Sequence, residues 1–211
     1  MNVALVNGSP HKHGCTDRAL QEIQRTLAEE GVDSQIFWIG AKPVGGCMAC
    51  GGCARSQGCV INDKVNEFLP IAREADAFVF GGPVHFGHAA ASLLGFMDRV
   101  FYSGSRLEGP SIFAHKPAAA VASARRSGTT CSFDDITKFF TISQMPVVSS
   151  RYWNNVHGNT AEEVEQDEEG LAVMRQLAHN MAWELRCIEA ARAAGVPGPI
   201  EEPRRRTNFI R

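Results

Sequence analysis

A chain of 211 residues with 44% hydrophobic content is long enough for one large domain with a buried core, and its apolar runs are too short to span a membrane. A formal net charge of −2, with the charges dispersed, leaves no basic face for nucleic acid; the one basic cluster, Arg204-Arg205-Arg206, stands beside Glu201 and Glu202 and reads as a solvated tail. Seven cysteines in a chain whose Met1 runs straight into a strand, without a leader pattern, point to reduced or metal-binding thiols and a cytoplasmic location.

Strands and helices alternate, which predicts a parallel sheet covered on both faces. Residues 2–7 form the first strand, and 16–30 a helix with Ala19, Leu20, Ile23 and Leu27 on one face and Gly31 at its C-terminal cap. Residues 34–39 form the second strand, and a segment without periodicity follows from 40 to 61. A helix over 63–73, a strand over 77–80 and a helix over 89–102 come next. The small residues of 116–123 suit a central strand pressed by helices on both faces. A helix opening at Ser132, with Asp135 three residues on, leads to a short fifth strand over 147–150. The last long element begins near Thr160 or Asp167 and ends near Ala194, with Leu171, Met174, Ala178, Met181, Leu185 and Ile188 in a stripe that packs on the chain's own sheet. One domain over 1–195, with a cysteine-rich loop at 40–61, and an extended tail over 196–211 are expected.

Three loops follow candidate strands and would meet at the carboxyl edge of the sheet, where ligands of open α/β folds bind. Gly8 to Thr16 joins the first strand to the first helix, where free amides and the helix dipole favour an anion. Cys15 stands where a Walker A loop has its lysine, and G-x-G-x-x-G is absent, so neither a nucleotide triphosphate nor a dinucleotide is indicated. Ser9 and Thr16 are the hydroxyl donors to a phosphate, with Lys12 adding charge; Cys15, at a helix start, should have a lowered thiol pKa if exposed. Gly81 to Gly87 permits close backbone approach to a flat ring, with Pro83 stiffening the loop and His85 and Phe86 offering planar surfaces. Ser123 to Gly128 is the third loop, and Trp153, Asn154, His157 and Gly158 follow the fifth strand. Asp98 and Arg99 read as a structural ion pair or cap. Arg125 and Arg126 are candidates for the phosphate of a nicotinamide cofactor.

Cys47, Cys50, Cys53 and Cys59 put four thiols within thirteen residues, in a C-x2-C-x2-C-x5-C run. That compact spacing is close to one that wraps a single iron–sulfur cluster; structural or redox-sensing thiols, and zinc, are the alternatives.

Gly8-Ser9-Pro10 with Gly14-Cys15-Thr16, the run Cys47 to Cys59, and Gly82-Pro83-Val84-His85-Phe86-Gly87 leading to Phe96-Met97-Asp98-Arg99 together resemble the NAD(P)H-dependent FMN reductase family, specifically its iron–sulfur flavoprotein branch. The resemblance implies a flavodoxin-like three-layer sandwich with five parallel strands in the order 2-1-3-4-5, and homodimers or homotetramers. It implies FMN, held through its phosphate by Ser9, Lys12, Cys15 and Thr16, along its ring by Pro83, Val84, His85, Phe86 and Gly87, and at its far edge by Ser123, Ala124, Arg125, Arg126 and Gly128. Relatives commonly carry Asn at the position of Cys15 and Tyr at that of His85. NAD(P)H would donate electrons, a 4Fe-4S cluster on the four cysteines would accept or relay them, and a quinone, nitroaromatic, ferric or protein acceptor would receive them. No acid–base residue is required of the protein, because the flavin carries the chemistry. A non-enzymatic electron carrier is the rival, weakened by a charge too mild for an acidic docking face, and a cysteine-based redox sensor is another.

Overall fold

The computed structural model describes residues 1–203 together with 205, 207 and 209; Arg204 and Arg206 of the basic cluster lie outside the described residues. Strand β1 (Asn2–Asn7) pairs in parallel with β2 (Asp33–Trp38) on one side and with β3 (Ala77–His85) on the other. A two-residue strand β4 (His88–Ala89) folds back on the end of β3, β5 (Ala118–Ala124) pairs in parallel with β3, and β6 (Asn155–His157) closes the sheet beside β5. The path β2-β1-β3-β5-β6 is the expected 2-1-3-4-5 order, with β4 added as a short antiparallel flap.

Period-two alternation divides the core. Val3 and Leu5, Ala77 and Val79, and Ala119 and Val121 face one aliphatic half, filled by α1 (Cys15–Glu29) and the long α7 (Glu168–Ala193). Ala4 and Val6, Phe78 and Phe80, and Ala118 and Ala120 face the other half, under α3 (Lys64–Glu74), α4 (Ala91–Gly104) and α5 (Thr129–Ile142). That second half is rich in phenylalanine: Phe37, Phe68, Phe78, Phe80, Phe96, Phe101, Phe113, Phe139 and Phe140 make a run of ring contacts between 4.4 and 6.4 Å. The α7 stripe packs on its own sheet, as its spacing predicts, and Glu22 on α1 is clamped by Arg18, Arg25 and Arg175, the last reaching over from α7.

Several boundaries differ from the sequence expectation, among them the start of β5, at Ala118 rather than 116. The third strand continues to His85, because Phe86 and Gly87, at φ 50° and 91°, form a two-residue turn that lets Val84 and His85 pair with Ala89 and His88. Helix α4 therefore starts at Ala91 rather than 89. The predicted strand at 147–150 is reduced to a single bridge between Ala118 and Val147. Beyond it the chain bulges away and returns through Asn154, whose side-chain Nδ2 donates to Ala120 O at 3.1 Å while its main-chain carbonyl accepts from Ala122 N at 3.0 Å. A side chain thus stands in for ladder hydrogen bonds before β6 begins. Finally, α5 opens at Thr129 behind Gly128 (φ 93°), so Ser132 lies inside the helix and caps nothing. The C-terminal helix, in turn, is preceded by a short one: α6 (Ala161–Val164) is capped by Thr160 and α7 by Asp167, both residues that the sequence marks as starts. The remaining short helix, α2 (Cys53–Ser56), lies in the cysteine loop. Among the described residues no helix is long and apolar enough to cross a membrane.

Candidate functional site

Two sites emerge, one at the strand ends and one under the cysteine loop. The first is a cleft of roughly 480 Å³ at the carboxyl edge of the sheet. Its floor is the loop between β1 and α1. Asn7 holds that loop from below, its Oδ1 accepting from Ser9 N at 3.0 Å and its Nδ2 donating to Lys12 O at 3.1 Å, while Trp38 Nε1 donates to Ser9 O at 2.7 Å. Ser9 Oγ accepts from His11 N at 3.1 Å, which leaves its own proton free to donate. No side chain caps α1, so its first amides and the positive end of its dipole remain available to an anion in the cleft. Gly8 is required: a Cβ there would lie 2.7 Å from Leu93 Cδ1 and 2.9 Å from Gly81 O.

Thr16 Oγ1 and Ser123 Oγ, both buried, lie 2.8 Å apart and tie the first loop to the end of β5. Pro83, Val84 and His85 form one wall, and Ala124 and Arg125 another. The cleft thus gathers Ser9, Cys15, Thr16, Pro83, Val84, His85, Ser123, Ala124 and Arg125, and adds His11, His13, Gly14 and the segment from Gly158 to Glu162. The sequence signal for that last segment was Gly158 and the Thr160 cap, standing one turn beyond β6. Five expected contacts are not part of the cleft lining. Lys12 turns its Nζ over the Trp38 ring, 5.8 Å from the centroid, since the loop that Asn7 fixes aims it that way. Phe86 and Gly87 form the fully exposed tip of the flap, Arg126 is solvated, and Gly128 supports the flap, where a Cβ would meet Gly87 Cα at 3.0 Å. Trp153 is half exposed and packs edge-on against Tyr152.

Cys15 departs from expectation in its chemistry. Burial, reinforced by Glu163 and Glu162, pushes its thiol pKa above the ordinary value, and the Sγ donates to Gly158 O at 3.4 Å. It is a bridge between the first loop and the loop after β6, not an activated nucleophile.

The second site is built by side chains. Cys47, Cys50, Cys53 and Cys59 line one small cavity together with Met48, Val60, Ile61, Tyr102 and Arg99. Ala49 and Gly51, both at positive φ, coil the loop so that successive cysteines face the same space. All four thiols are free. Among the described residues no three potential ligands already stand grouped as for a bound ion, yet four soft sulfur donors around an apolar wall match the donor set of a thiolate-ligated metal group.

Arg99 is in an ion pair, as the sequence suggests, but its partner and its contact with the cysteine loop were not legible there. Instead of pairing with its neighbour Asp98, it forks onto Asp63, with Nη1 to Oδ2 at 2.7 Å and Nη2 to Oδ1 at 2.9 Å, and it reaches Cys59 Sγ from both Nε and Nη2 at 3.3 Å. Burial works to raise the Asp63 carboxyl pKa, but the hydrogen bonds from Arg99 and Val65 N outweigh it and hold the group below its ordinary value. Asp98, left without that partner, is raised by burial. Its place at the end of the segment that leads on from the glycine loop was the only sequence signal for Arg99. Helix α4 runs toward the cysteine loop: Leu93 packs on Gly82, beside Pro83 of the cleft wall, Gly95 abuts the carbonyl of Val44, and Arg99 lies about one and two-thirds turns beyond Leu93, about 9 Å along the axis.

An iron–sulfur flavoprotein of Methanocaldococcus jannaschii is 29% identical over 200 residues, covering 90% of this chain and 100% of that protein. An iron–sulfur flavoprotein of Methanosarcina thermophila is 26% identical, covering 91% and 99%. Among solved structures, RosB with a bound riboflavin-phosphate intermediate superposes with a TM-score of 0.67 at 12% identity over 100% of this chain and 94% of its own. The NAD(P)H:acceptor oxidoreductase FerB of Paracoccus denitrificans does so with 0.61 at 14% over 87% and 98%. At those identities the structures speak for a shared flavodoxin-like fold. A family model described as NADPH-dependent FMN reductase matches residues 1–160, and this chain belongs to that family.

Proposed function

We propose that the chain is an FMN-dependent NAD(P)H oxidoreductase that passes electrons by way of an iron–sulfur cluster on Cys47, Cys50, Cys53 and Cys59 to a quinone, nitroaromatic, ferric or protein acceptor. The observation that carries the reading is that all four cysteines of the loop line one cavity, in a chain that also has a strand-end cleft with an uncapped helix N-terminus. Bound FMN supplies hydride acceptance and single-electron release, and a cluster supplies a one-electron store.

What the chain contributes is binding, orientation and exclusion of water. The α1 amides, Ser9 and Thr16 are suited to a phosphate, and Ser123 holds Thr16 in its rotamer. The stiff wall from Pro83 to His85 is suited to one side of a planar ring, and Arg125 to a second phosphate-bearing ligand at the cleft mouth. No acid or base is assigned. In this reading the protein works as a homodimer or homotetramer, in which the fully exposed Phe86 ring is a natural subunit contact. The exposure of Cys47 and Cys50 favours the second reading, a thiol redox switch.

Anaerobic purification and reconstitution, followed by a visible spectrum, iron and sulfide analysis, and NAD(P)H consumption with each acceptor class, separates them. The expected result is flavin and iron absorption together with turnover. Flavin without iron after reconstitution removes the cluster, and bound flavin with no turnover on any acceptor leaves a carrier or sensor.

A further inference from the structure

Arg99 is 2% exposed and heads the fully buried side chains by size. A guanidinium keeps its charge at any accessible pH, so its burial is unfavourable unless partners offset it. The fork onto Asp63 would be enough for that. Yet Arg99 spends Nε and part of Nη2 on a sulfur, and Nη2 also reaches Ile61 O at 3.0 Å. The main chain of the same residue is fixed as well: Cys59 N donates to Asn66 Oδ1, and Asn66 Nδ2 donates to Cys59 O, each at 2.8 Å.

The other three cysteines are treated differently. Cys47 Sγ accepts one backbone amide, from Ala49 at 3.4 Å, and among the described residues no side-chain donor reaches Cys47, Cys50 or Cys53. One corner of the cavity is therefore pinned and positively charged, while the other three are set by a loop. Hydrogen bonds and net charge at the sulfurs are among the factors that fix the reduction potential of such a group, and outer partners orient its ligands.

We infer that Arg99 is a positioning residue that fixes the Cys59 sulfur and raises the reduction potential of the cluster, with Asp63 opposing it. The inference rests on the reading that the four cysteines hold an iron–sulfur cluster. Taking up one electron adds one negative charge, which a permanent cation at hydrogen-bond distance stabilises. Asp63 neutralises part of that cation, so removing either partner moves the potential in opposite directions. Mere loosening of the loop moves both variants the same way.

The test is an EPR-monitored redox titration, with iron and sulfide analysis, of the reconstituted wild type and of Arg99→Gln, Arg99→Lys and Asp63→Asn. Asn caps α3 as well as Asp does, so Asp63→Asn leaves that helix intact. Arg99→Gln is expected to lower the equilibrium constant for one-electron reduction about tenfold, about 59 mV. Arg99→Lys should fall by less, and Asp63→Asn should raise the constant severalfold. If Arg99→Gln does not fold, Arg99→Lys and Asp63→Asn decide between them, since their expected shifts differ in sign. A fully loaded Arg99 variant at the wild-type potential, or an Asp63→Asn shift in the same direction as the Arg99 shift, overturns the inference. Wild-type protein without iron overturns the cluster reading and this inference with it, a result distinct from a loaded wild type with unshifted variants.

Discussion

The cleft and the cysteine cavity sit along the same helix, but they are built in opposite ways. The cleft is made of strand ends, backbone amides and small hydroxyls, with its loop tied down by Asn7 and Trp38. The cysteine cavity is made of a long irregular loop whose geometry depends on Arg99, Asp63 and Asn66 reaching in from α4 and α3. Each has a counterpart among the carboxylates that arginine holds below their ordinary pKa, Glu22 on α1, which opens at the cleft, and Asp63 at the start of α3. The arginines around Glu22 end on the carboxylate, whereas Arg99 goes on from Asp63 to a sulfur. Backbone-built sites tolerate side-chain change at their rims, whereas a loop held by a few long side chains fails when one of them is lost.

The sharpest way to break the comparison is Cys59→Ala. Iron and sulfide should be lost almost completely while flavin stays bound, because no cysteine of the loop lines the cleft; loss of both in the visible spectrum would mean that the two sites are one unit. Thr16→Val should weaken flavin binding by about 1.5–3 kcal/mol, the range for a hydrogen bond to a charged group, or roughly ten- to a hundredfold in Kd by fluorescence titration, with iron content unchanged.

Acid should loosen the cleft side through Glu22. Burial alone would raise its pKa, but Arg25, Arg175 and Arg18 bring it from an ordinary 4.5 to about 2. A depressed folded-state value gives stabilisation that is complete above pH 4.5 and lost as pH falls toward 2, on the order of 2–3 kcal/mol in total. Melting temperature should therefore drop across that window, and Glu22→Gln should flatten the drop. Gly8→Ala should destabilise by about 1–3 kcal/mol through overpacking against Leu93, read as a denaturant midpoint. The smallest effect is expected for Lys12→Ala: its ammonium sits over Trp38, so flavin Kd should change less than about threefold.

The fold was legible where periodicity and burial coincide. The alternation of strands with helices, the α7 stripe, and the Thr160 and Asp167 starts all stand as read. It was illegible where a side chain takes over a backbone role: Asn154 replacing ladder hydrogen bonds moved the edge strand from 147 to 155, and nothing local distinguishes that asparagine from any other. The segment from Gly81 to His85 read as a loop because Gly and Pro argue against a strand, yet parallel pairing with β5 carries it on as far as Pro83. In the site, the cysteine set and the hydroxyls at 9, 16 and 123 were visible as residue types in loops. The partner of Arg99 was not, because Asp63 lies 36 positions away and only the packing of α3 against α4 brings it within reach.

Strand β3 runs unbroken for nine residues, from phenylalanines sealed in the interior to Val84 on the cleft wall. From Phe80 to Val84 is about 13 Å of extended chain, which bends but hardly stretches. That makes it a girder shared by interior and rim. A substitution that shifts Phe80 by a fraction of an ångström should be felt at the mouth of the cleft, so crowding in the phenylalanine layer can retune ligand fit without touching any residue that meets the ligand.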